Sequence, residues 1–466
     1  MVGLRTTQEM SPEPKLGESM SHTAVGTEAY LAAHQALASA LPAAGISWLD
    51  RSRKSARDQF GEMGFPTTRD EQWKYTNVRS ITRQAFALPP ADSLSIDRAL
   101  VDNAIVPGMD TYRLVFADGI LVPQLSHCDD LPEGVTVTGL ANVLRTDSAH
   151  LEGIFGKVLR EPTHGFNAMN SAFVCDGAFV EIGPGVVMDR PLELLFISAT
   201  GGEGMLALPR NLVLLRAGSQ ATLHERYISA SPARCLTNAV SEVLIEEDAK
   251  LHLGRLQEES ERSFHIGGLF AEVGRNACLT TNVVTLGGAL VRNDLAVNLN
   301  EEGAEVRLHG LYVAHGRQHV DNHTQVFHNR PGTTSNECYK GILNGHARAV
   351  FRGHILVQPD AQKTDAVQNN HNLLLSPNAE VDTMPQLEIY ADDVKCAHGA
   401  TVGQLDEAAL FYIVSRGVDR ATARRMLTHA FAAEVLEGIE PPALQTHLAS
   451  RVSGQLSSAS AQASAP

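Results

Sequence analysis

The sequence predicts a mainly β protein, with a solenoid of stacked β coils in the middle and helical domains at both ends. Two observations predict the solenoid: a repeat of 27 to 28 residues in the middle of the chain, and alternation of apolar and polar residues within the repeats. A third observation, helical spacing of apolar residues towards both ends, predicts the flanking domains. We expect a helical domain at 27–109, a β core at 110–402 and a second helical domain at 403–452.

The repeat is clearest where a strand-like run ends in a polar corner, an alanine follows, and apolar residues then alternate. The stretches are LLRAGSQATLHE, LIEEDAKLHLGR, AEVGRNACLTTN, NLNEEGAEVRLHG and LLSPNAEVDTMP, with GHARAVFRG as a looser match. Their alanines are Ala221, Ala249, Ala277, Ala304, Ala379 and Ala347, and the first four are 28, 28 and 27 residues apart. Such a repeat indicates one coil of short strands per repeat, the alternative being an accidental spacing of alanines.

Helices are predicted at the start of the folded region, in EAYLAAHQALASAL and WLDRSRKSARDQFGEM. The segment GFPTTRDEQWKYTNV follows them and contains Trp73 and Tyr75. We interpret these two aromatic residues as an anchor that docks the helices onto the rest of the molecule. Residues 1–26 have few apolar side chains, which predicts a disordered N-terminus.

The chain becomes helical again after Gly403. LDEAALFYIVSRG begins with acidic residues and ends in Arg416 and Gly417, which suits the start and stop of a helix. In DRATARRMLTHAFAAEVLEGI, Asp419 is a candidate N-cap, and one apolar stripe is predicted to consist of Ala423, Met426, Leu427, Ala430 and Phe431. ALQTHLASRV predicts a last short helix, and residues 453–466 a disordered tail. The helices either cover the end of the solenoid or dock a partner.

Composition excludes several classes of function. The net charge of −15 argues against a nucleic-acid partner, because no broad basic face could neutralise phosphates. No apolar run approaches the roughly 18 residues of a membrane span, and the first residues have no signal-peptide core. The six cysteines occur singly, without CxxC, as is typical of free thiols in a reducing compartment. We therefore expect a cytoplasmic protein with no membrane or nucleic-acid partner.

The chain has none of the common catalytic motifs, including the nucleophile elbow, phosphate loop, HExxH and GxGxxG patterns. Histidines are nevertheless dense in the later repeats. His319, Asp321 and His323 are two residues apart, so a strand would present all three on one face. They could bind a divalent metal, as in a β-helix metalloenzyme, or form a hydrogen-bonded polar ladder. An aromatic content of 5% argues against a sugar-binding enzyme.

The stretch DDVKCAHGATVG places Cys396 and His398 two residues apart where the β region ends. In a strand both side chains face the same side, and a thiolate beside an imidazole suits iron or zinc. Two ligands do not complete a tetrahedral site, so further ligands would come from distant residues or from a second chain. A partly buried thiol near a structural histidine is the alternative.

The chain resembles the SufB/SufD core family of iron–sulfur cluster assembly proteins, most densely from Asp321 to Glu437. The matching stretches are DNHTQVFHNRPGTTSNE, VFRGHILV, NNHNLLLSPNAEVDTMPQLEIYADDVKCAHGATVG and LDEAALFYIVSRGV. GFPTTRDEQWKYTNV is similar to the corresponding segment of the SufD branch, and the resemblance covers most of residues 27 to 450. It implies a right-handed parallel β-helix flanked by helical domains, and a non-catalytic scaffold subunit of the cytosolic SufBCD complex.

The resemblance also implies partners and site residues. His398 matches the family histidine that lies at the interface with SufB and, with a SufB cysteine, would hold a nascent iron–sulfur cluster. Cys396 is adjacent in the same motif and would either bind the cluster or line its site. The helices after Gly403 match the segment that engages the ATPase SufC. A self-associating solenoid, stable as a homodimer without SufB or SufC, is a further alternative.

Overall fold

The computed structural model describes residues 26–89, 96–199 and 204–462, and side chains as far as Leu456. The predicted disorder of residues 1–25 and 463–466 lies outside the described residues. Helices and strands are numbered in chain order. The helices are α1 Thr27–Leu37, α2 Ser47–Met63, α3 Arg79–Thr82, α4 Arg98–Ala104, α5 Leu140–Thr146, α6 Ser148–Leu151, α7 Gly165–Ala172, α8 Glu407–Val414, α9 Arg420–Leu436 and α10 Pro442–Gln462. Short 3₁₀ helices span Glu71–Trp73 and Pro123–Leu125.

The strands form two sheets that face each other. The first sheet contains β1 Tyr112–Ala117, β2 Ile120–Leu121, β5 Leu192–Ser198, β8 Gln220–Ser229, β10 Lys250–Glu258, β12 Cys278–Thr285, β14 Glu305–Ala314, β16 Thr334–Leu343, β18 Asp365–Leu374 and β20 Lys395–Gly403. The second contains β3 Val135–Gly139, β4 Ala178–Ile182, β6 Met205–Ala207, β7 Arg210–Leu215, β9 Cys235–Ile245, β11 Phe264–Val273, β13 Leu290–Leu299, β15 His319–His328, β17 Arg348–Val357 and β19 Glu380–Ile389.

The predicted β-solenoid is confirmed. From β8 onwards the chain alternates between the sheets, so that each coil adds one strand to each of them. Neighbouring strands within each sheet are parallel and in register, as in the pairing of β10 with β12 and of β11 with β13. Antiparallel pairs occur at the N-terminal end, where β1 meets β2 and β3 meets β4. The result is a solenoid of about eight turns with helices at both ends of the chain.

The prediction of β structure throughout 110–402 is wrong for residues 140–172, which contain α5, α6 and α7. Leu140 and Leu144 of α5 are buried against Leu212 and Leu214 of β7, on the outer face of the second sheet. Leucines four residues apart lie on one side of a helix, and this spacing is the local signal for α5.

The repeated alanines mark the corners of the coils. Ala249, Ala277 and Ala304 directly precede strands of the first sheet and are fully buried. Ala347 and Ala379 precede strands of the second sheet, so they belong to the opposite corner, half a coil away. The alignment of the remaining alanine, Ala221, is wrong: it lies within β8 opposite Leu251, and the corner residue of that coil is Ser219. Only small side chains fit where the chain turns around the closely packed interior.

The N-terminal helices dock on the outer face of the second sheet, and Trp73 is their anchor. Its side chain is 2% exposed and packs in the same cluster as Phe166 and Phe264. The guanidinium of Arg292, on β13, lies 3.8 Å from the centroid of the indole ring. Tyr75 is 40% exposed, so the predicted anchor is confirmed for Trp73 and wrong for Tyr75.

The C-terminal helices cover the flank of the solenoid rather than its end. Apolar residues of α9 and α10 pack on the outer face of the first sheet, over residues of β12, β14 and β16. Asp419 accepts a hydrogen bond from the amide of Thr422, which confirms the N-cap of α9. The predicted stripe is confirmed for Ala423 and wrong for Met426 and Ala430, which are exposed; the buried face continues through Ala432 and Val435.

The predicted tail is wrong for residues 453–462, which continue α10. Leu456 is buried beside Val452 and packs with the same cluster, so this part of the segment is held by apolar contacts. Among the described helices, none is long and apolar enough to cross a membrane.

Candidate functional site

The C-terminal end of the solenoid is open. β20 ends the first sheet and pairs with β18, and β19 ends the second sheet and pairs with β17; the other edge of each strand has no strand partner among the described residues. Most side chains of these two strands are exposed or half-buried, whereas those of earlier coils are largely buried. Apolar residues border this end, including Ile389, Val402 and Tyr390, the last of which is 62% exposed.

Cys396 and His398 lie on β20 with their side chains on the inner face of this last coil. In register, Cys396 stands opposite Ala366 and His398 opposite Gln368, and both of those β18 residues are fully buried inside the solenoid. Cys396 is half-buried and packs against the main core. Burial raises the pKa of its thiol, and the nearby Asp365 carboxylate raises that pKa further. His398 is exposed because no further coil lies above it.

The buried side chains beneath these two residues, on β18 and β16, include polar ones. Gln368 donates from Nε2 to Oε2 of Glu337, on the preceding coil, at 2.7 Å. Burial raises the pKa of the Glu337 carboxyl to about 7. The side chain of Glu337 is 1% exposed, and no cation pairs with it among the described residues. The second coil below the candidate site therefore contains a buried carboxyl group that can be neutral near physiological pH.

A second set of hydrogen bonds joins β19 to the polar side chains of β18. Thr383 of β19 donates to Oδ1 of Asn370 at 2.9 Å, and the side-chain amide of Asn372 donates to the same oxygen at 2.6 Å. The hydroxyl of Tyr312 donates to Asn372 at 2.5 Å, which links β18 to β14, two strands further down the first sheet. These bonds fix the last coil to the core although nothing described covers it from above.

The open end by itself does not hold a metal ion. Within the described residues, no group of three or more His, Cys, Asp and Glu side chains is placed to bind one. Cys396 and His398 supply one sulfur and one nitrogen donor, and a complete site needs ligands from elsewhere.

The alternative site at His319, Asp321 and His323 is occupied by Arg292. Its Nη1 donates to Asp321 at 2.7 Å and its Nη2 to Nδ1 of His323 at 3.0 Å. Burial alone would raise the pKa of Asp321, but the charge of Arg292 lowers it. His319 instead bonds to the hydroxyl of Thr76 at 2.8 Å, in the segment that follows Trp73. The three residues do share one face, as predicted, but they form a polar network that holds the N-terminal segment rather than a metal site.

Three features of the end region were not predicted from the sequence. Gln368 lies 30 residues before His398, close to one repeat, and that spacing is the signal that could have placed it below the histidine. Tyr390 was missed because it follows β19 in an unremarkable polar stretch. Phe411 and Tyr412 lie in a predicted helix, but their exposure of 73% and 57% was not predicted.

Comparisons with known proteins agree with this architecture. Residues 196–431 match the family model of the SufBD core domain of the SUF iron–sulfur cluster assembly system, and residues 25–194 match that of the SufBD N-terminal region. A SufBD family protein of Synechocystis is 34% identical over 87% of this chain and 91% of its own length. SufD of Escherichia coli is 32% identical over 84% and 90%, and the chloroplast protein ABCI7 of Arabidopsis thaliana is 28% identical over 90% and 88%.

This protein therefore belongs to a class of iron–sulfur cluster assembly proteins. Its parallel β-solenoid has helical flanks and an open end that carries a cysteine and a histidine. The chain is a member of the SufBD family and a homologue of SufD.

Proposed function

We propose that this protein is a non-catalytic scaffold subunit of the SUF assembly complex, which pairs with SufB to hold a nascent iron–sulfur cluster and engages the ATPase SufC. The observation that carries the proposal is the open end of the solenoid. There, His398 and Cys396 share the inner face of a strand whose outer edge has no strand partner among the described residues. The site is incomplete within the described residues and is accessible to a second protein.

The donor set fits an iron–sulfur cluster as transient cargo. Cluster iron is held by thiolates and, in some centres, by imidazole nitrogen. His398 would supply a neutral ring nitrogen, and Cys396 would either bind the cluster or line its site. Since two donors do not enclose a cluster, we assign the remaining ligands, including a cysteine, to SufB.

The edges of β19 and β20 suit a protein partner of β type. Unpaired backbone N–H and C=O groups at a sheet edge pair readily with a strand of another chain. Exposed Tyr390 and Val402 add apolar surface beside those edges. These features support SufB as the partner at this end, while a second copy of the chain could use the same edges in a homodimer when SufB is absent.

We assign SufC to the exposed side of α8 and α9. Phe411, Tyr412 and Met426 are large apolar side chains at least half exposed, on helices whose other faces pack on the protein. Adjacent exposed apolar residues of this kind mark protein-binding surfaces. A cytoplasmic location fits the six cysteines, all of which are free thiols.

The test is His398→Ala in the chain co-expressed with SufB and SufC. Alanine cannot coordinate iron, so the purified complex should carry less cluster after anaerobic isolation, measured as iron and acid-labile sulfide per complex. Because the ring is exposed, we expect the variant to lose less than about 1 kcal/mol of stability and to keep both partners. Cys396→Ala should be comparably severe if the thiol is a ligand, and milder if it only lines the site.

His346→Ala is the matched control, since His346 is an exposed histidine on a corner between β16 and β17. It should keep the full cluster content. A His398→Ala complex with wild-type cluster content would overturn the proposed role of this end. A stable homodimer of the wild-type chain that ignores both SufB and SufC would instead support a self-associating structural protein.

A further inference from the structure

Gln368 lies directly below the candidate ligand His398. The two residues stand opposite each other in the parallel pair β18–β20, and neighbouring strands lie about 4.8 Å apart. Gln368 is fully buried, and its Oε1 has no hydrogen-bond partner among the described residues. A buried amide oxygen without a partner costs free energy, so its presence at this position calls for a ligand or a side chain that can donate to it.

The orientation of the carboxamide is set from below. Glu337, on the preceding coil, accepts from Nε2 of Gln368 at 2.7 Å. The amide nitrogen of Gln368 therefore faces Glu337 in the structure. The oxygen of the amide therefore faces away from Glu337, and the following coil contains His398.

The carboxamide is also confined from the opposite sheet. It lies over the backbone of Gly353 on β17, where a Cβ atom would come within 2.1 Å of Nε2 and 2.9 Å of Oε1. Glycine at this position leaves the space that the amide fills. Gln368 is thus held by a hydrogen bond on one side and by close packing on another.

Metal-binding histidines usually donate their second ring N–H to an oxygen atom of the protein, which fixes the orientation of the ring. In the free chain, the exposed His398 ring forms no hydrogen bond with any described residue. Hydrogen bonds of this kind commonly form only when a ligand or a partner holds the ring in place. Gln368 supplies an unpartnered acceptor on the strand directly below His398, whereas the unpartnered oxygen of Glu337 lies one strand further down.

We propose that Gln368 is a positioning residue for the cluster site: its Oε1 accepts the ring N–H of His398 that does not face the metal, and Glu337 holds the carboxamide in the required orientation. This inference rests on the proposed role of His398 as a ligand. It adds a line of three residues on successive coils, His398, Gln368 and Glu337, that supports one ligand from inside the solenoid.

The experiment uses the complete complex with SufB and SufC, isolated anaerobically, with its cluster reduced by one electron. Pulsed EPR detects the nitrogen of a coordinated imidazole, and the quadrupole coupling of the remote ring nitrogen reports whether its N–H is hydrogen-bonded. Gln368→Met keeps the length of the side chain but removes the acceptor, so the remote-nitrogen coupling should shift. If the Gln368→Met chain does not assemble into the complex, Glu337→Met serves instead, because it removes the acceptor that orients the amide.

The exchanged pair Glu337→Gln with Gln368→Glu provides the rescue. The amide at position 337 would donate to the carboxylate at position 368, whose second oxygen would again face His398. The wild-type coupling should return. Asn369→Leu, one residue away on the outer face of β18, is the control and should leave the coupling unchanged.

The outcomes separate this inference from the proposed function. Absence of imidazole coupling in the wild-type complex contradicts the assignment of His398 as a ligand. If imidazole coupling is present and is identical in wild type and Gln368→Met, the role of Gln368 is overturned and the assignment of His398 is retained. A shift that the exchanged pair does not reverse also overturns it, since the effect would then come from packing.

Discussion

Single buried side chains decide where the interior of the solenoid is polar and how it responds to pH. Glu225 and Arg255, in earlier coils, are fully buried and form an ion pair at 2.7 Å. Glu337 is equally buried but has the amide of Gln368 as its hydrogen-bond partner instead of a cation. The pKa of Glu337 is therefore raised to about 7, because burial disfavours its charged form.

Glu337→Gln should raise stability at high pH. The folded pKa of about 7 lies above the ordinary glutamate value of 4.5, so the wild-type chain loses stability as pH rises from 4.5 through 7. The neutral amide removes this loss, which amounts to at most roughly 3 kcal/mol at pH 8. We expect the melting temperature of the variant, relative to wild type, to be higher at pH 8 than at pH 5, as measured by calorimetry.

The control for this prediction is Glu380→Gln, because Glu380 is exposed at the start of β19 and pairs with Arg348 on the surface. Its melting temperature relative to wild type should differ little between the two pH values. If the melting temperatures of Glu337→Gln and wild type differ by the same amount at pH 5 and at pH 8, Glu337 does not titrate in this range.

At the scale of elements, α8 is a helix with little of its surface used inside the chain. Asp406 caps it by accepting from the amide of Ala408, and Leu410 is its buried residue. Phe411 and Tyr412 project into solvent, and Arg416 stacks on the ring of Tyr412 at 3.5 Å. The helix is therefore held by its cap, by one buried apolar residue and by the ion pair of Glu407 with Arg420 of α9, and it presents its aromatic side chains outward.

Replacing Phe411 and Tyr412 together by serine should weaken SufC binding at least about tenfold, since buried aromatic residues dominate interface energies. The melting temperature of the free chain should hardly change, because neither side chain is buried in it. Calorimetric titration with SufC measures the affinity. Glu437→Ser, at the far end of α9, is an exposed control that should bind SufC normally, and unchanged affinity in the double variant would refute the assignment.

These point variants test SufC binding more directly than a truncation after Gly403 would. Removing α9 and α10 would expose Leu311, Val313 and Ile342 on the outer face of the first sheet, which the helices now cover. Loss of SufC binding in a truncated chain would then be difficult to separate from aggregation.

As a whole molecule, the solenoid is a linear stack in which each coil contacts mainly its neighbours. Stability in such a stack is lowest where a coil has one neighbour instead of two. At the N-terminal end the sheets finish in antiparallel strands, whereas no described strand pairs with the outer edge of the last coil, β19 with β20. The most easily opened part of the β core is thus the part that contains His398 and Cys396.

Hydrogen exchange should show this gradient. Backbone amides of β19 and β20 should exchange faster than those of β11 and β13, which lie between two neighbours. SufB should slow exchange in β19 and β20, and SufC should slow it in α8 and α9. Mass spectrometry of peptic fragments resolves these segments, and uniform protection along the solenoid, or SufB protection confined to the helices, would contradict the proposed interfaces.

The sequence by itself determined the features that depend on local periodicity. Alternation with period two specified the strands and placed Cys396 and His398 on one face, since side chains of residues i and i+2 in a strand point the same way. Small buried alanines marked the corners, and apolar spacing with helix start and stop signals marked the longer helices at both ends of the chain. The shared face of His319, Asp321 and His323 was also predicted correctly, but periodicity does not identify what lies opposite such a face.

Only the tertiary structure decided the features that depend on residues distant in the chain. Arg292 pairs with Asp321 because β13 and β15 are neighbours, and this contact turns a candidate metal site into an anchor for the N-terminal segment. The C-terminal helices cover a flank because apolar residues of alternate strands combine there into one surface. Among the described residues, the last coil therefore remains uncovered. Gln368 lies beneath His398 because stacking brings together residues about 30 positions apart whose local sequence patterns are independent of each other.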